Sequence, residues 1–262
     1  MGLAASLFRR RTPYIRVPTT SLSYVDASVG AKNGCNFAGS KNRLGTYVAP
    51  QAALLDSSFF QTQEAREVAN GLAEMAKMSL MKSEELFHLL KDHAPRLVES
   101  RFEPRDATDD APERVLRLSI ETMLEELAPN LWEHSLDRLV DFGHAIGQNL
   151  EMEALGTEHE LMHGEAVAVD MAYMSVLANV IGKITADERD SILSMLRTCQ
   201  VPVHSPVLTR ELLREALNDR VQNSMGQRLP LPCGIGRGCI VNGVSDAEFE
   251  RAYVLWEELC KQ

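Results

Sequence analysis

Residues 159–163, HELMH, place two histidines four apart with a glutamate after the first. On a helix this H-E-x-x-H spacing puts both imidazoles on one face, with the glutamate placed to activate a metal-bound water, the arrangement of zinc proteases. That chemistry requires a helix running through His159 and His163 and a third ligand downstream. Gly164 argues instead for a helix start beside His163, which leaves His159 in the polar stretch GTEHELM. The downstream candidate, Glu188, sits in the exposed start ADERD. The pentapeptide is therefore not read as a protease helix. Asp141-Phe142-Gly143 spells the kinase tripeptide, but no glycine-rich loop or HRD accompanies it.

Other titratable residues sit in apolar surroundings that need a reason. His144 lies in VDFGHAIGQNLE, an apolar strip broken by Gly143 and Gly147. His163 begins a segment that is otherwise apolar. Glu74 and Lys77 are spaced i, i+3 inside GLAEMAKMSL, on a largely apolar stripe. Glu74, His144 and His163, drawn from three separate helices, would form an open three-ligand zinc site with room for substrate. His88, His93, His134 and His204 stand in amphipathic or loop contexts without evident partners and are read as surface or core filler.

Two textures position these groups. Residues 14–56 carry short apolar runs, YIRV and TYVA, with turn signals in GAKNG and AGSKN, and AALLD is expected to be a further buried strand. From Gln63 the period becomes 3.6: Val68, Leu72, Met75, Ala76 and Leu80 share one face, and EELFHLLKDH continues the pattern. Residues 100–112 are expected to form a polar loop. GEAVAVDMAYMSVLANV is apolar nearly all round, as a central bundle helix must be. ADERDSILSMLRTC and DAEFERAYVLWEEL are amphipathic and start with acids suited to a helix N-terminus. RLPLPCGIGRGCIV resembles a hairpin, since its glycines precede a strand and not a helix, which excludes a dinucleotide loop there.

Composition narrows the class. The 262 residues are 45% hydrophobic and 24% charged, as in a globular chain of one or two domains. A formal charge of -10 argues against a nucleic-acid partner, although a local lysine cluster can still hold a phosphate. No apolar run approaches the ~20 residues that span a bilayer. The five cysteines lack CxxC spacing, which points to free thiols in a reducing, cytoplasmic compartment. At the N-terminus, Gly2 with Ser6 matches a myristoylation pattern, Arg9, Arg10 and Arg11 could supply a basic anchor, and the lack of acids before Asp26 fits a transit peptide. The plainer reading, a helix end leading into a strand, is preferred.

RVPTTSLSYVDASVGAKNGCN, SKNRLGTYVAPQAALLD, GLAEMAK, VDFGHAIG and LMHGEAVAVDMA follow one another along nearly the whole chain. In this order they resemble the sugar phosphate cyclases, the family of 3-dehydroquinate synthase. APNLWEH, Asp141 and HGEAVAVDMA resemble the branch that converts sedoheptulose 7-phosphate to valiolone-type cyclitols. The resemblance implies an α+β, mostly α chain. Residues 63–262 would be a dehydroquinate synthase-like helical domain for metal and substrate, preceded in 1–62 by a remnant, strands and a hairpin, of a Rossmann-like nicotinamide-binding domain.

It further implies zinc, or cobalt in its place, on Glu74, His144 and His163, which makes HELMH a coincidence. Substrate contacts fall to Asp26, Lys32, Asn42, Lys77 and Asp141, with Lys32 and Asn42 on the phosphate side and Lys77, Lys32 and Asp141 in catalytic roles. NAD contacts fall to Thr19, Thr20, Lys41, Phe59 and Thr62. On residue type alone, Lys32 and Lys41 serve as readily as solvated turn lysines. The implied reaction is that of a phosphate-eliminating lyase. Hydride leaves a ring hydroxyl polarised by zinc, the ketone acidifies its neighbouring C–H, phosphate departs, hydride returns, and an aldol step closes the ring. A homodimer is implied as well.

Three features depart from the family pattern. Ala31 replaces the second glycine of a GGK turn. Ala145 and Gln148 stand in GHAIGQ, and Gln148 can hydrogen-bond but cannot shuttle a proton as histidine does. The glycine-rich cofactor turn is not found, because Gly2, Gly30, Gly34, Gly39 and Gly45 make no strand-turn-helix fingerprint. Two readings follow. The first is a cyclase that draws its cofactor domain from elsewhere, such as a separate chain, with 3-dehydroquinate synthase as the alternative activity. The second is a non-catalytic remnant that serves as a zinc-binding or dimerisation module.

Overall fold

The computed structural model describes residues 2–10, 12–38 and 40–261, without the side chains of residues 40, 41, 223 and 224. Arg11 of the basic run and Gly39 of the expected turn lie outside the described residues, as does the side chain of Lys41. The chain opens with α1 (Gly2–Leu7) and β1 (Ile15–Arg16), then a π turn over Ser23–Ala27. Strands β2 (Lys32–Phe37) and β3 (Ser40–Tyr47) form an antiparallel hairpin with Lys32 opposite Tyr47. β4 (Ala52–Ala53) runs parallel to β1, and a 3-10 segment covers Ser57–Thr62.

The helical body follows: α2 (Ala65–Lys82), α3 (Glu84–Ser100), α4 (Ala111–Leu127), α5 (Gly147–Ala154), α6 (His163–Val180), α7 (Ala186–Thr198) and α8 (Arg210–Ser224). The hairpin β5 (Leu229–Pro232) and β6 (Gly238–Val241) precedes α9 (Asp246–Cys260). Helix starts follow capping chemistry. Ser83 accepts from the Leu86 N–H, while Thr185 with Glu188 and Ser245 with Glu248 form capping boxes on α7 and α9. The core is built on α6, which is buried from Gly164 to Ala178 and packs on α2, α5, α7 and α9. This explains a sequence with no polar face: none of its faces meets water.

The structure corrects several expectations. GAKNG is not wholly a turn, since β2 already begins at Lys32 and pairs Asn33 with Thr46. AALLD is not a buried strand. Pairing stops at Ala53 and Leu54 is 62% exposed, because a two-residue parallel pair has no sheet face to cover. Residues 101–110 form the polar loop, and α4 starts inside its expected end with Pro112 in the first turn, where a missing N–H is harmless. His204 does have a partner: its Nε2 lies 2.9 Å from Glu257 Oε1, and its ring stacks on Trp256 at 4.7 Å. His144 is on no helix; it follows a 3-10 turn over Leu139–Asp141 and precedes α5.

Candidate metal and substrate site

Two glycines let the site-bearing elements meet. A Cβ at Gly164 would lie 2.1 Å from the Asn70 carbonyl oxygen, and one at Gly71 would lie 2.3 Å from Ser21 Oγ. The first turn of α6 therefore rests directly on α2, and the segment that carries Asp26 rests on α2 nearby. The Gly164 N–H donates to Asn70 Oδ1 at 2.5 Å. This contact brings His163, the first residue of α6, beside Glu74, which lies one turn beyond Asn70 on α2.

His163 Nε2 lies 3.2 Å from Glu74 Oε1, while its Nδ1 lies 2.8 Å from Glu151 Oε2 on α5. His144 Nε2 lies 3.8 Å from the same Glu74 oxygen, with its Nδ1 3.1 Å from the Phe142 carbonyl. The two rings are 5.3 Å apart between centroids. One ligand atom from each of the three residues falls within 4.8 Å of the others. A tetrahedral cation with bonds of about 2.0–2.2 Å separates its ligands by about 3.3–3.6 Å. The observed pair distances bracket that value.

The loop that presents His144 is held from beneath. Gly143 has φ +78°, and a Cβ there would lie 2.6 Å from Val167 Cγ1. Asp170 Oδ2 on α6 accepts the N–H groups of Ile146 (2.7 Å) and Gly147 (2.9 Å). Burial pushes the Asp170 carboxyl up to about 6, opposed by the Ile146 and Gly147 donors and by Arg220. One helix thus sets both imidazoles, His163 directly and His144 through Asp170.

Glu74 is fully buried, and neither of its oxygens accepts a well-formed hydrogen bond. It has ion-pair neighbours, however, with Lys77 Nζ 2.5 Å from Oε2. Burial disfavours its charge, but Lys77 and the two histidines outweigh burial and hold the carboxyl well below its usual range. A buried carboxylate with unfilled lone pairs beside two imidazoles is the arrangement a divalent cation completes. Glu74, His144 and His163 could hold that ion, and no other such group of three comes together among the described residues. Lys77 also reaches Asp26 Oδ1 at 3.1 Å. Burial lowers its pKa, yet Asp26 and Glu74 reverse this and raise it, so it stays protonated.

Beside this cluster lies a cavity of ≈ 300 Å³ onto which Asp26, Lys32, Lys77, Asp141 and His144 all open. Asn42 is not brought there. It lies on β3 with φ +52° and lines an adjoining cleft of ≈ 820 Å³ that shares Asp26, Lys32 and His144 with the cavity and also reaches His163. Thr19 is exposed, Thr20 Oγ1 donates to Ser23 Oγ at 2.8 Å, and Thr62 Oγ1 donates to the Phe59 carbonyl at 2.9 Å. The Ser21 N–H bonded to Gln63 Oε1 at 2.8 Å draws these two segments together. None of Thr19, Thr20, Phe59 and Thr62 lines either cavity. His159 lies in an exposed loop ahead of α6, so no helix joins it to His163.

Sequence reasoning missed the charges around the cavity. Asp141 pairs with Arg138 at 2.7 Å and with Arg220 at 3.6 Å, and Glu133 pairs with Lys32 at 2.5 Å. Arg138 had a usable signal in its i, i+3 spacing to Asp141, and Glu133 stood within APNLWEH. Arg220, in the polar run NDRVQNS, had none.

The class of protein follows from comparison with known families. Residues 71–222 match the 3-dehydroquinate synthase C-terminal family and residues 1–70 the 3-dehydroquinate synthase N-terminal family. The chain belongs to the 3-dehydroquinate synthase family of sugar phosphate cyclases. Within it, 2-epi-5-epi-valiolone synthase of Streptomyces hygroscopicus subsp. jinggangensis is 49% identical over 98% of this chain and 62% of its own length. A second 2-epi-5-epi-valiolone synthase, from an Actinoplanes species, is 48% identical over 99% of this chain and 65% of its own. The chain thus spans less than two thirds of the length of these relatives. The solved Streptomyces hygroscopicus enzyme, with NAD+ and Zn2+ bound, superposes with a TM-score of 0.92 at 49% identity, over 98% of this chain and 69% of that one. A 2-deoxy-scyllo-inosose synthase structure at 20% identity shares the fold, with a TM-score of 0.72 over 97% of this chain and 68% of that one.

Proposed function

We propose that this chain is the metal- and substrate-binding part of a sugar phosphate cyclase that converts sedoheptulose 7-phosphate to a valiolone-type cyclitol, as a carbon-oxygen lyase using zinc and NAD. The observation that carries this reading is the cluster of Glu74, His144 and His163, whose His144 opens onto a cavity also lined by Lys77, Lys32 and Asp141. Its support from relatives is the likeness to 2-epi-5-epi-valiolone synthases, one of them solved with NAD+ and Zn2+. Glu74, His144 and His163 hold the zinc, which when bound supplies Lewis acidity toward a substrate hydroxyl, while NAD supplies reversible hydride transfer.

The chain's own residues supply the rest. Lys77, protonated and anchored by two carboxylates, is a fixed cation for developing oxyanion charge and not a base. Asp26 fixes its direction. Lys32, at the cavity rim, meets the phosphate, and Asp141 accepts a substrate hydroxyl. Val140, Met123 and Leu127 on the cavity wall exclude water. Asn42 is a second-cleft residue on the phosphate side. Residues 1–62 contribute to nicotinamide binding, with Thr19, Thr20, Lys41, Phe59 and Thr62 at its edge. The exposed Thr19, Thr62 and Phe59 and the half-buried Thr20 give edge contacts and do not enclose a cofactor, so no step is assigned to them. The free cysteines fit a cytoplasmic setting, and the family relation favours a homodimer. Within the family, 3-dehydroquinate formation needs a carboxylated substrate. Asp141 already engages Arg138 and Arg220, which favours the uncharged end of sedoheptulose 7-phosphate.

The test is phosphate release from sedoheptulose 7-phosphate by the zinc-loaded chain with NAD, run alone and with a cofactor-binding segment added. NAD-dependent release in either arm, lost in Lys77→Met, is expected. About one equivalent of zinc with no nicotinamide binding and no release in both arms would overturn the cyclase reading in favour of a non-catalytic zinc-binding or dimerisation module.

A further inference from the structure

Glu133 stands between α4 and the 139–141 turn in the left-handed region, with φ +54°. Its N–H donates to the Asn130 carbonyl at 2.8 Å, and the Asn130 side chain clasps Ser135 through bonds of 2.8 Å and 3.0 Å. A non-glycine residue held at positive φ by a local clasp is a device with a purpose to be found. Its carboxylate is 5% exposed, yet it meets donors from two separate segments. Lys32 Nζ is 2.5 Å from Oε1, and Tyr47 donates its hydroxyl to Oε2 at 3.0 Å. Arg138 Nη1 donates to that same Oε2. Lys32 and Tyr47 face each other across the open end of the β2–β3 hairpin. A single buried carboxylate therefore grips both strands of the hairpin and ties them to the helical body beside the cavity.

We infer that Glu133 is a positioning residue that docks the open end of the β2–β3 hairpin and so sets the Lys32 ammonium at the cavity rim to receive a phosphate. This rests on the reading of Lys32 as the phosphate-side lysine. The ammonium has three N–H donors, and Glu133 takes one, which leaves two for phosphate oxygens. The Lys32 side chain is 59% exposed, so without this anchor its four-carbon stem would sample many rotamers. Removing the anchor is expected to weaken phosphate binding about tenfold, the scale of one lysine side chain's ordering entropy.

The experiment titrates inorganic phosphate calorimetrically into the zinc-loaded full chain at fixed ionic strength. It compares wild type, Lys32→Ala, Glu133→Gln, the double variant and Tyr47→Phe, with thermal melts confirming that each folds. Glu133→Gln keeps the side-chain shape and an acceptor for Tyr47. Binding is expected to weaken at least tenfold in Lys32→Ala and about tenfold in Glu133→Gln, with the double variant no weaker than Lys32→Ala. Tyr47→Phe, which loosens the hairpin without changing charge, is expected to weaken it by about threefold. Phosphate bound by Glu133→Gln as tightly as by wild type, or more tightly, overturns the inference, as does an undiminished Glu133→Gln effect in the Lys32→Ala background. Unchanged binding in Lys32→Ala instead refutes the phosphate reading of Lys32, and this inference falls with it.

Discussion

Asp170→Asn isolates the support of the His144 loop. The carboxyl is fully buried, Oδ2 takes the Ile146 and Gly147 N–H groups, and Oδ1 has no hydrogen-bond partner. Burial lifts its folded-state value from an ordinary 3.8 to about 6. A value higher in the fold than in the unfolded chain means that the proton favours folding. The stabilisation is complete below the unfolded value and is lost as pH rises through about 6. That interval of about 2.2 pH units, at about 1.4 kcal/mol per unit, amounts to about 3 kcal/mol. Asparagine does not titrate, and its amide oxygen still accepts the two N–H groups. The unfolding free energy of Asp170→Asn minus that of wild type should therefore rise by about 2.4 kcal/mol between about pH 4 and pH 7, since at pH 4 the unfolded carboxyl is already partly ionised. Urea titrations followed by circular dichroism, in chelator so that metal does not contribute, measure this difference; equal m-values in the two proteins validate the comparison. Taking the difference cancels the other titrating groups. A difference that stays flat with pH, or that moves in favour of wild type as pH rises, would show that the carboxylate is already stable as an anion and that the loop is held by charge.

Two further perturbations test the geometry around the ligands. Glu151→Gln replaces the carboxylate behind His163 Nδ1 with an amide, and zinc affinity measured by chelator competition should fall about 10- to 100-fold; unchanged affinity would mean that Glu151 does not orient the ring. Gly164→Ala places a methyl 2.1 Å from the Asn70 carbonyl oxygen. It should destabilise the chain by about 1–3 kcal/mol and weaken zinc binding as α2 and α6 part; a variant that matches wild type in both melting and metal affinity would sink the close-approach argument.

Much of the helical body could be read from periodicity and caps, because α2, α6, α7 and α9 are governed by local pattern and by the burial of one or all faces. The same holds for the start of α6 at His163, where Gly164 carried the signal. The apolar strip around His144 suggests a helix, whereas the residue lies on a loop. The loop exists through Gly143 at positive φ and through Asp170, which lies 24 residues from Ile146. AALLD looked buried because its residues are apolar, but burial depends on what lies against a strand and not on the strand alone. The ion pairs of Lys32 with Glu133 and of Asp141 with Arg220 join distant positions, and charge at one gives no local sign of the other. Asn42 resembles a substrate residue by motif, and β3 sets it in the cleft that adjoins the cavity at Asp26, Lys32 and His144.

The sealing of α6 on every side divides the site into unequal halves. Glu74 and His163 ride on two helices locked at a glycine, whereas His144 and Lys32 are carried on a loop and a hairpin. Two of the three donor atoms therefore have their spacing set by helix against helix, and only the third depends on a loop for its place.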